Sequence, residues 1–325
     1  MQLRVLTPQQ IEQFITRGWT TVEAAFPYAQ AEKVQDFLWD KLATRGILRA
    51  DRATWTKPMQ FIAENYDGSP FDECATPRLS DAITDLIGDG RWIAQDKIGW
   101  WGWWPINFAI GADQVWDVPA DEWHFDTPDT GTYANSGDQG ALVICLFSEV
   151  KPRGGGTLII EGSHRIVARF FEQTPGLTQR EAIRGCLDSH PYLRALTGRD
   201  GSDDNLPGVD TGNKRNANAA ELERVQEDLM TPRIERFMHE AWLDEDGTEL
   251  RVVEMTGSPG DVFLAHPFMF HSPSFNHSGV PRFMCNRKTP LFESLQLDRA
   301  GGEYSPLEES IRQALAYGEL AASHG

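Results

Sequence analysis

The sequence predicts a mainly β fold with flanking helices, of closed or double-sheet architecture, and two features carry that reading. Short runs rich in branched and aromatic residues recur at 141–147, 157–160, 262–265 and 282–286. They are separated by turn signals such as Gly154-Gly155-Gly156 and Ser258-Pro259-Gly260. Many short strands set off in this way are the mark of barrels and paired sheets. Helical patterning is strongest near the start. Thr7-Pro8-Gln9-Gln10 makes a helix start, and 31–42 carries Val34, Phe37, Leu38 and Leu42 at helical spacing. Between these two helices, 18–25 has strand character.

A single domain spanning 1–325 is expected, since β-rich folds of this length often form one unit. Its parts are helices and first strands (1–90), the first part of the β core (91–170), an insertion (171–242), the second part of the core (243–290) and a helical tail (291–325). The insertion breaks the strand pattern with a polar stretch, 197–218, followed by a helical run, 219–230. The segment 91–123 holds seven of the eleven tryptophans. With 48 acidic against 30 basic residues the net charge is -18. Such a field repels phosphate backbones and anionic lipid, so neither nucleic acid nor membrane is an expected partner. The four cysteines are far apart, and the opening MQLRVLTPQQ lacks the apolar core of a signal peptide. No stretch is apolar for long enough to span a membrane. These features point to a reduced, cytoplasmic protein, as a monomer or homodimer.

The chemistry rests on His124-Phe125-Asp126, on His271, and on Arg282 eleven residues further on. Chance supplies about half an H-x-D per chain of this composition, so the motif alone means little. On a strand, however, residues i and i+2 share a face, which lets His124 and Asp126 reach one ion. Two imidazoles and one carboxylate make the facial triad of non-heme Fe(II) oxygenases, with three positions left open. His271 follows the apolar run Pro267-Phe268-Met269-Phe270; a lone histidine there is often a core residue. Arg282 precedes Phe283-Met284-Cys285, and a guanidinium in so apolar a setting needs an anion, because an unpaired buried charge is costly. Its planar fork suits a carboxylate, either of a protein Asp or Glu or of 2-oxoglutarate. His266, on the opposite parity from His271, is assigned no metal role.

With these residues in view, the chain resembles the phytanoyl-CoA dioxygenase-like family of Fe(II)- and 2-oxoglutarate-dependent oxygenases. The opening 6–14 followed by Gly18-Trp19 is similar to the family's first helix and strand. The segment 155–165 resembles its glycine-turn-strand signature, with Glu161 where proline is usual. Pro259-Gly260-Asp261-Val262, then His271, Asn276 and Arg282, is similar to the closing signature in order and spacing. The resemblance implies a double-stranded β-helix core (jelly-roll, cupin-like), His124, Asp126 and His271 as iron ligands, and Arg282 as the anchor of 2-oxoglutarate. It also implies O2 as cosubstrate and ascorbate as a reductant. Asn107 and Thr157 are further candidates for the cosubstrate. Relatives often carry serine two residues after the second histidine, where this chain has Pro273, so Ser272 or Ser274 would have to substitute.

A carboxylate at Asp126 leaves no position for a halide, whereas related halogenases carry a small residue there, so hydroxylation is expected over chlorination. Desaturation, ring closure and epimerisation would use the same residues. Trp100, Trp101, Trp103, Trp104, Trp116 and Trp123 offer an aromatic wall for a small-molecule substrate, although most large aromatics in β proteins are core. Trp101, Trp103, Trp123 and Phe125 are the candidates for the substrate pocket. The acidic composition argues against an acyl-CoA and for a secondary-metabolite or amino-acid-like substrate. Two alternatives stay open: a cupin-like isomerase or hydrolase using Zn, Mn or Ni, and a ligand-binding β-fold without catalysis.

Overall fold

The computed structural model describes residues 2–93, 101–128, 131–137, 140–200, 231–299 and 302–322. Among these, two four-stranded antiparallel sheets and one two-stranded ribbon form the β structure. The first sheet runs in the order β1 (Trp19–Val22), β8 (Val262–Ala265), β4 (Leu142–Leu146) and β10 (Met284–Lys288). The second runs β6 (Trp242–Leu243), β7 (Glu249–Glu254), β5 (Leu158–Glu161) and β9 (His271–Ser272). The ribbon pairs β2 (Met59–Ile62) with β3 (Trp104–Asn107). It continues the first sheet past β10: Asn107 and Arg282 exchange backbone hydrogen bonds at 3.0 and 2.8 Å, and the Asn286 amide donates to the Trp103 carbonyl at 3.0 Å. Antiparallel sheets with helices in this arrangement are compatible with a jelly-roll core.

Strand alternation assigns each face. Leu142, Ile144 and Leu146 of β4 cluster with Phe263, Met284 and, from the second sheet, Ile159. That cluster draws on both sheets and so marks the layer between them. Val143, Cys145 and Phe147 turn the other way and join the larger cluster that holds the helices. Each large apolar side chain fully buried in either layer contributes about 2 kcal/mol.

The helices form where local chemistry starts and stops them. Helix α1 (Pro8–Arg17) opens with a capping box: the Gln10 amide donates to Thr7 Oγ1 at 3.2 Å, and the Thr7 amide donates to Gln10 Oε1 at 2.9 Å. It stops at Gly18, whose φ of 85° is left-handed. Helices α2 (Tyr28–Ala43) and α3 (Pro77–Ile87) bury Leu38, Leu42, Ile83 and Leu86 beneath the first sheet. Helix α4 (Ser163–Gln173) follows β5, then α5 (Gln179–Ser189) and α6 (Pro191–Leu196); the last helix, α7 (Pro306–Ala322), packs on α1, α3 and α4. No helix among the described residues is long and apolar enough to cross a membrane.

Sequence expectation and structure differ at particular points. Strand β10 starts at Met284 rather than 282, because Arg282 pairs with Asn107 instead of with β4. Helix α2 starts at Tyr28, three residues early, directly after Pro27. Of the segment expected as an insertion, the described parts form α5, α6, a helical turn at Pro232–Ile234, a π turn at Glu235–His239 and β6. Most of the polar stretch, the helical run 219–230 and Trp100 lie outside the described residues.

Charge ties α4, and His190 at the end of α5, to the turn between β6 and β7. Asp246, its side chain fully buried, accepts from Arg169 Nη1 at 2.6 Å, Arg165 Nε at 3.2 Å and the Thr248 amide at 2.9 Å. Arg169 also holds Asp244 at 2.9 Å, which faces His190 Nε2 at 3.2 Å. Burial opposes ionisation of Asp246, but the Thr248 hydrogen bonds and the Arg169 charge outweigh it and hold the carboxyl down to about 2. A depressed carboxyl contributes stability that is present above its unfolded value and lost as pH falls through its folded value. Asp246→Asn is therefore expected to cost about 3 kcal/mol at neutral pH. It should also flatten the loss of stability between about pH 4 and pH 2. Urea denaturation at several pH values measures both effects.

Candidate functional site

The site is assembled by one backbone pairing between distant segments. The His124 amide donates to the His271 carbonyl at 3.0 Å, and the His271 amide returns the bond to His124 at 2.7 Å. Residues directly opposite in an antiparallel pair point to the same side, so both imidazoles face the same way, with ring centroids 4.2 Å apart. On its other edge β9 pairs with β5, placing His271 opposite Ile159, which belongs to the layer between the sheets. His271 therefore points inward and is only 4% exposed.

His124, Asp126 and His271 each offer a donor atom, and the three lie within 4.8 Å of one another, with Asp126 Oδ2 4.0 Å from His271 Nε2. Bound to one cation at about 2.1 Å, adjacent donors sit about 3 Å apart, so a small contraction closes the set. His124 Nδ1 faces the Glu122 carbonyl at 2.7 Å and His271 Nδ1 the Met269 carbonyl at 3.1 Å. Each contact assigns the proton to Nδ1 and leaves the Nε2 lone pair free for a metal. Burial, with repulsion from His124, pulls His271 down to about 4, so the ring is neutral at physiological pH. Glu122 has φ of 61°, a left-handed conformation costly for a residue other than glycine, and it presents the carbonyl that orients His124.

The same cavity, of about 790 Å³, is lined by His124, His271 and Arg282. Arg282 is 2% exposed, and no described carboxylate lies within ion-pairing distance of it. Its Nη2 donates to the Pro105 carbonyl at 2.9 Å, while Nε has no partner. Burial lowers its proton affinity, with the Glu254 charge acting in the opposite sense. Glu254 is itself raised to about 7 by burial, against the Arg153 and Gly156 amides that it accepts at 2.7 and 3.1 Å. Arg282 is thus a buried cation whose counter-charge is not supplied by the described residues.

The other expected site residues divide into two groups. Thr157, Ser272, Trp103 and Trp123 line the cavity. Ser274 does not, because its hydroxyl donates to the Gly156 carbonyl at 2.7 Å. Asn107 faces Arg282 across the strand pair but does not line the cavity. Its amide nitrogen donates to the Ser274 carbonyl at 2.8 Å and the Gly155 carbonyl at 3.4 Å, joining strands rather than facing a ligand. Trp101 is 1% exposed and packs on Trp104 and Phe147. Phe125 is fully buried against Phe171 and Phe270, because it lies between His124 and Asp126, which face His271, and so points the other way. Neither Trp101 nor Phe125 lines the cavity, which corrects the expectation of a pocket role. His266 lies in the core against His164, with centroids 4.9 Å apart, away from the triad. Sequence reasoning missed Phe61, Arg180 and Asn286 in the cavity wall. Asn286 was within reach of it, since it shares strand parity with Arg282.

No family model matches this sequence, and no curated protein sequence matches it. Among solved structures the chain is similar to HygX from Streptomyces hygroscopicus with nickel and 2-oxoglutarate bound, at 13% identity, covering 93% of this chain and 94% of that one, with a TM-score of 0.47. It is also similar to EctD from S. alaskensis with 2-oxoglutarate and 5-hydroxyectoine, at 18% identity, 88% and 76% coverage and a TM-score of 0.44. A third is SnoK, a non-heme alpha ketoglutarate dependent carbocyclase from nogalamycin biosynthesis, at 11% identity, 91% and 89% coverage and a TM-score of 0.45.

Two substitutions test the geometry. Asp126→Ala is expected to weaken Fe(II) or Co(II) binding at least a hundredfold, read by anaerobic equilibrium dialysis, with an unchanged fold by circular dichroism. Gly155 has φ of 78°, and a Cβ there would lie 2.7 Å from Asn107 Nδ2 and 2.8 Å from Asn276 Cβ. Gly155→Ala should therefore cost about 2 kcal/mol, because it combines backbone strain with a displaced Asn107 amide. Chemical denaturation measures that loss.

Proposed function

We propose that the chain is an Fe(II)- and 2-oxoglutarate-dependent dioxygenase on a double-stranded β-helix core, akin to the phytanoyl-CoA dioxygenase-like enzymes, hydroxylating an unactivated C–H of a small molecule. The observation that carries this reading is Arg282. A buried guanidinium without a carboxylate partner among the described residues, in the wall of the cavity that His124 and His271 of the His/Asp/His group also line, calls for an anionic ligand beside a metal. 2-Oxoglutarate would meet both demands, as a 2-oxo acid that a metal can hold and a second carboxylate for the arginine.

His124, Asp126 and His271 would hold the iron, and Arg282 would fix the distal carboxylate through its planar fork. When bound, the pair supplies oxidation by O2, with decarboxylation of the 2-oxo acid to succinate and CO2. The residues of the chain then act by placement: the carbonyls of Glu122 and Met269 keep the imidazoles turned to the metal, and the hydroxyls of Thr157 and Ser272 flank the cosubstrate side. Trp103 and Trp123 bound the space left for the substrate, where they help exclude water and fix which C–H faces the iron. The carboxylate of Asp126 would take the third protein position, which would favour hydroxylation over halide transfer.

Succinate formation from 2-oxoglutarate, with Fe(II), O2 and ascorbate present, tests the proposal. Turnover should require iron and vanish in Asp126→Ala. Arg282→Ala should raise the 2-oxoglutarate requirement at least tenfold, in line with the loss of a charge-assisted pair. Unchanged turnover in both variants would contradict the reading.

A further inference from the structure

We infer that the substrate of this site is amphoteric: a small molecule carrying one anionic and one cationic group on a flat apolar body, of the aromatic amino acid type. The inference rests on the oxygenase reading of the same cavity. Besides His124, His271 and Arg282, the wall contains two charged side chains, Arg180 and Glu122, both exposed to solvent. Neither forms an ion pair among the described residues, with the other or with any third group. Among the described residues, an entering ligand thus meets one cation and one anion without an ion-pair partner in the wall of a single cavity.

Both charges are fixed to the metal-binding segment. Gln179 Nε2 donates to the carbonyl of Phe125, the residue between His124 and Asp126, at 2.7 Å. The first turn of α5 is set by a capping box, in which Glu181 Oε2 accepts from the Thr178 amide at 3.0 Å. Arg180, the next residue after Gln179, is therefore held beside the H-x-D segment. Glu122 lies two residues before His124, and its own carbonyl orients that imidazole.

The apolar part of the wall indicates the body of the ligand. Phe61 and Trp103 are stacked with centroids 5.2 Å apart and planes 23° apart, yet they are 50% and 43% exposed. Two large aromatic rings left half in water at a cavity mouth form a platform on which a planar apolar group can stack. A ligand stacked there, with its carboxylate on Arg180 and its ammonium on Glu122, uses every charged group of the wall that the metal and Arg282 leave over.

Ligand-detected NMR titration of the full chain with L-tryptophan, indole-3-propionate and tryptamine tests this. L-Tryptophan should bind best. Arg180→Gln should weaken L-tryptophan and indole-3-propionate about tenfold, the scale of one charge-assisted contact, and leave tryptamine unchanged. Glu122→Gln should weaken L-tryptophan and tryptamine and leave indole-3-propionate unchanged. Equal binding of all three to the wild type, no binding of any, or unchanged binding in both rim variants would overturn the inference. The readout needs no turnover, so its failure is separate from a failure to form succinate.

Discussion

The exchange of backbone hydrogen bonds between His124 and His271 is the constraint on which the rest of the site depends. It joins residues 147 positions apart in the chain. Closing so long a loop costs only slightly more than closing a short one, because the entropy grows with the logarithm of length. What the pairing needs is a rigid frame on each side. β5 supplies one by pairing with β9, and the buried strands of the first sheet supply the other through the shared apolar layer. Given that frame, the pleat does the remaining work: His271 faces inward opposite Ile159, His124 faces the same way, and Asp126 follows two residues on.

Electrostatics then distinguishes this cavity from an ordinary gap between sheets. The chain carries a net charge of -18, yet the charged residue deepest in the cavity wall is a cation, Arg282. Among the described residues, its side chain donates to the Pro105 carbonyl and the Met59 sulfur. Neither neutralises it. On the proposed reading, a dianionic cosubstrate would approach against the long-range field of an acidic protein, so its retention would depend on the short-range, poorly screened contact inside the cavity rather than on steering from a distance.

Much of this was legible in the sequence, for reasons that can be assigned. The expected strands at 141–147, 157–160 and 262–265 appear as β4, β5 and β8, because each is a run of buried apolar residues closed off by glycine or proline. The helix start at Thr7-Pro8-Gln9-Gln10 is a local signal, and the structure makes it a capping box. The closeness of His124, Asp126 and His271 followed from pleat geometry and from the resemblance, not from any local pattern, since His271 arrives from the far side of the fold. Trp101 and Phe125 were misplaced because aromatic residues near a motif do not announce which way they face. Phe125 could have been excluded on parity alone, but Trp101, near Pro105 and followed by Gly102, could not. Arg180 gave no signal, as it belongs to a segment that only tertiary packing brings to the cavity.

The central claim is that one cavity holds a metal on His124, Asp126 and His271 and a 2-oxo acid on Arg282. Anaerobic titration of the metal-free protein with Fe(II) and then with 2-oxoglutarate, followed by visible absorption, addresses it most directly. The account predicts a weak charge-transfer band from a chelated 2-oxo acid, saturating at one equivalent of each and lost in His271→Ala. A wild-type protein that takes up Fe(II) and 2-oxoglutarate without that band, or a band that persists in His271→Ala, would contradict it.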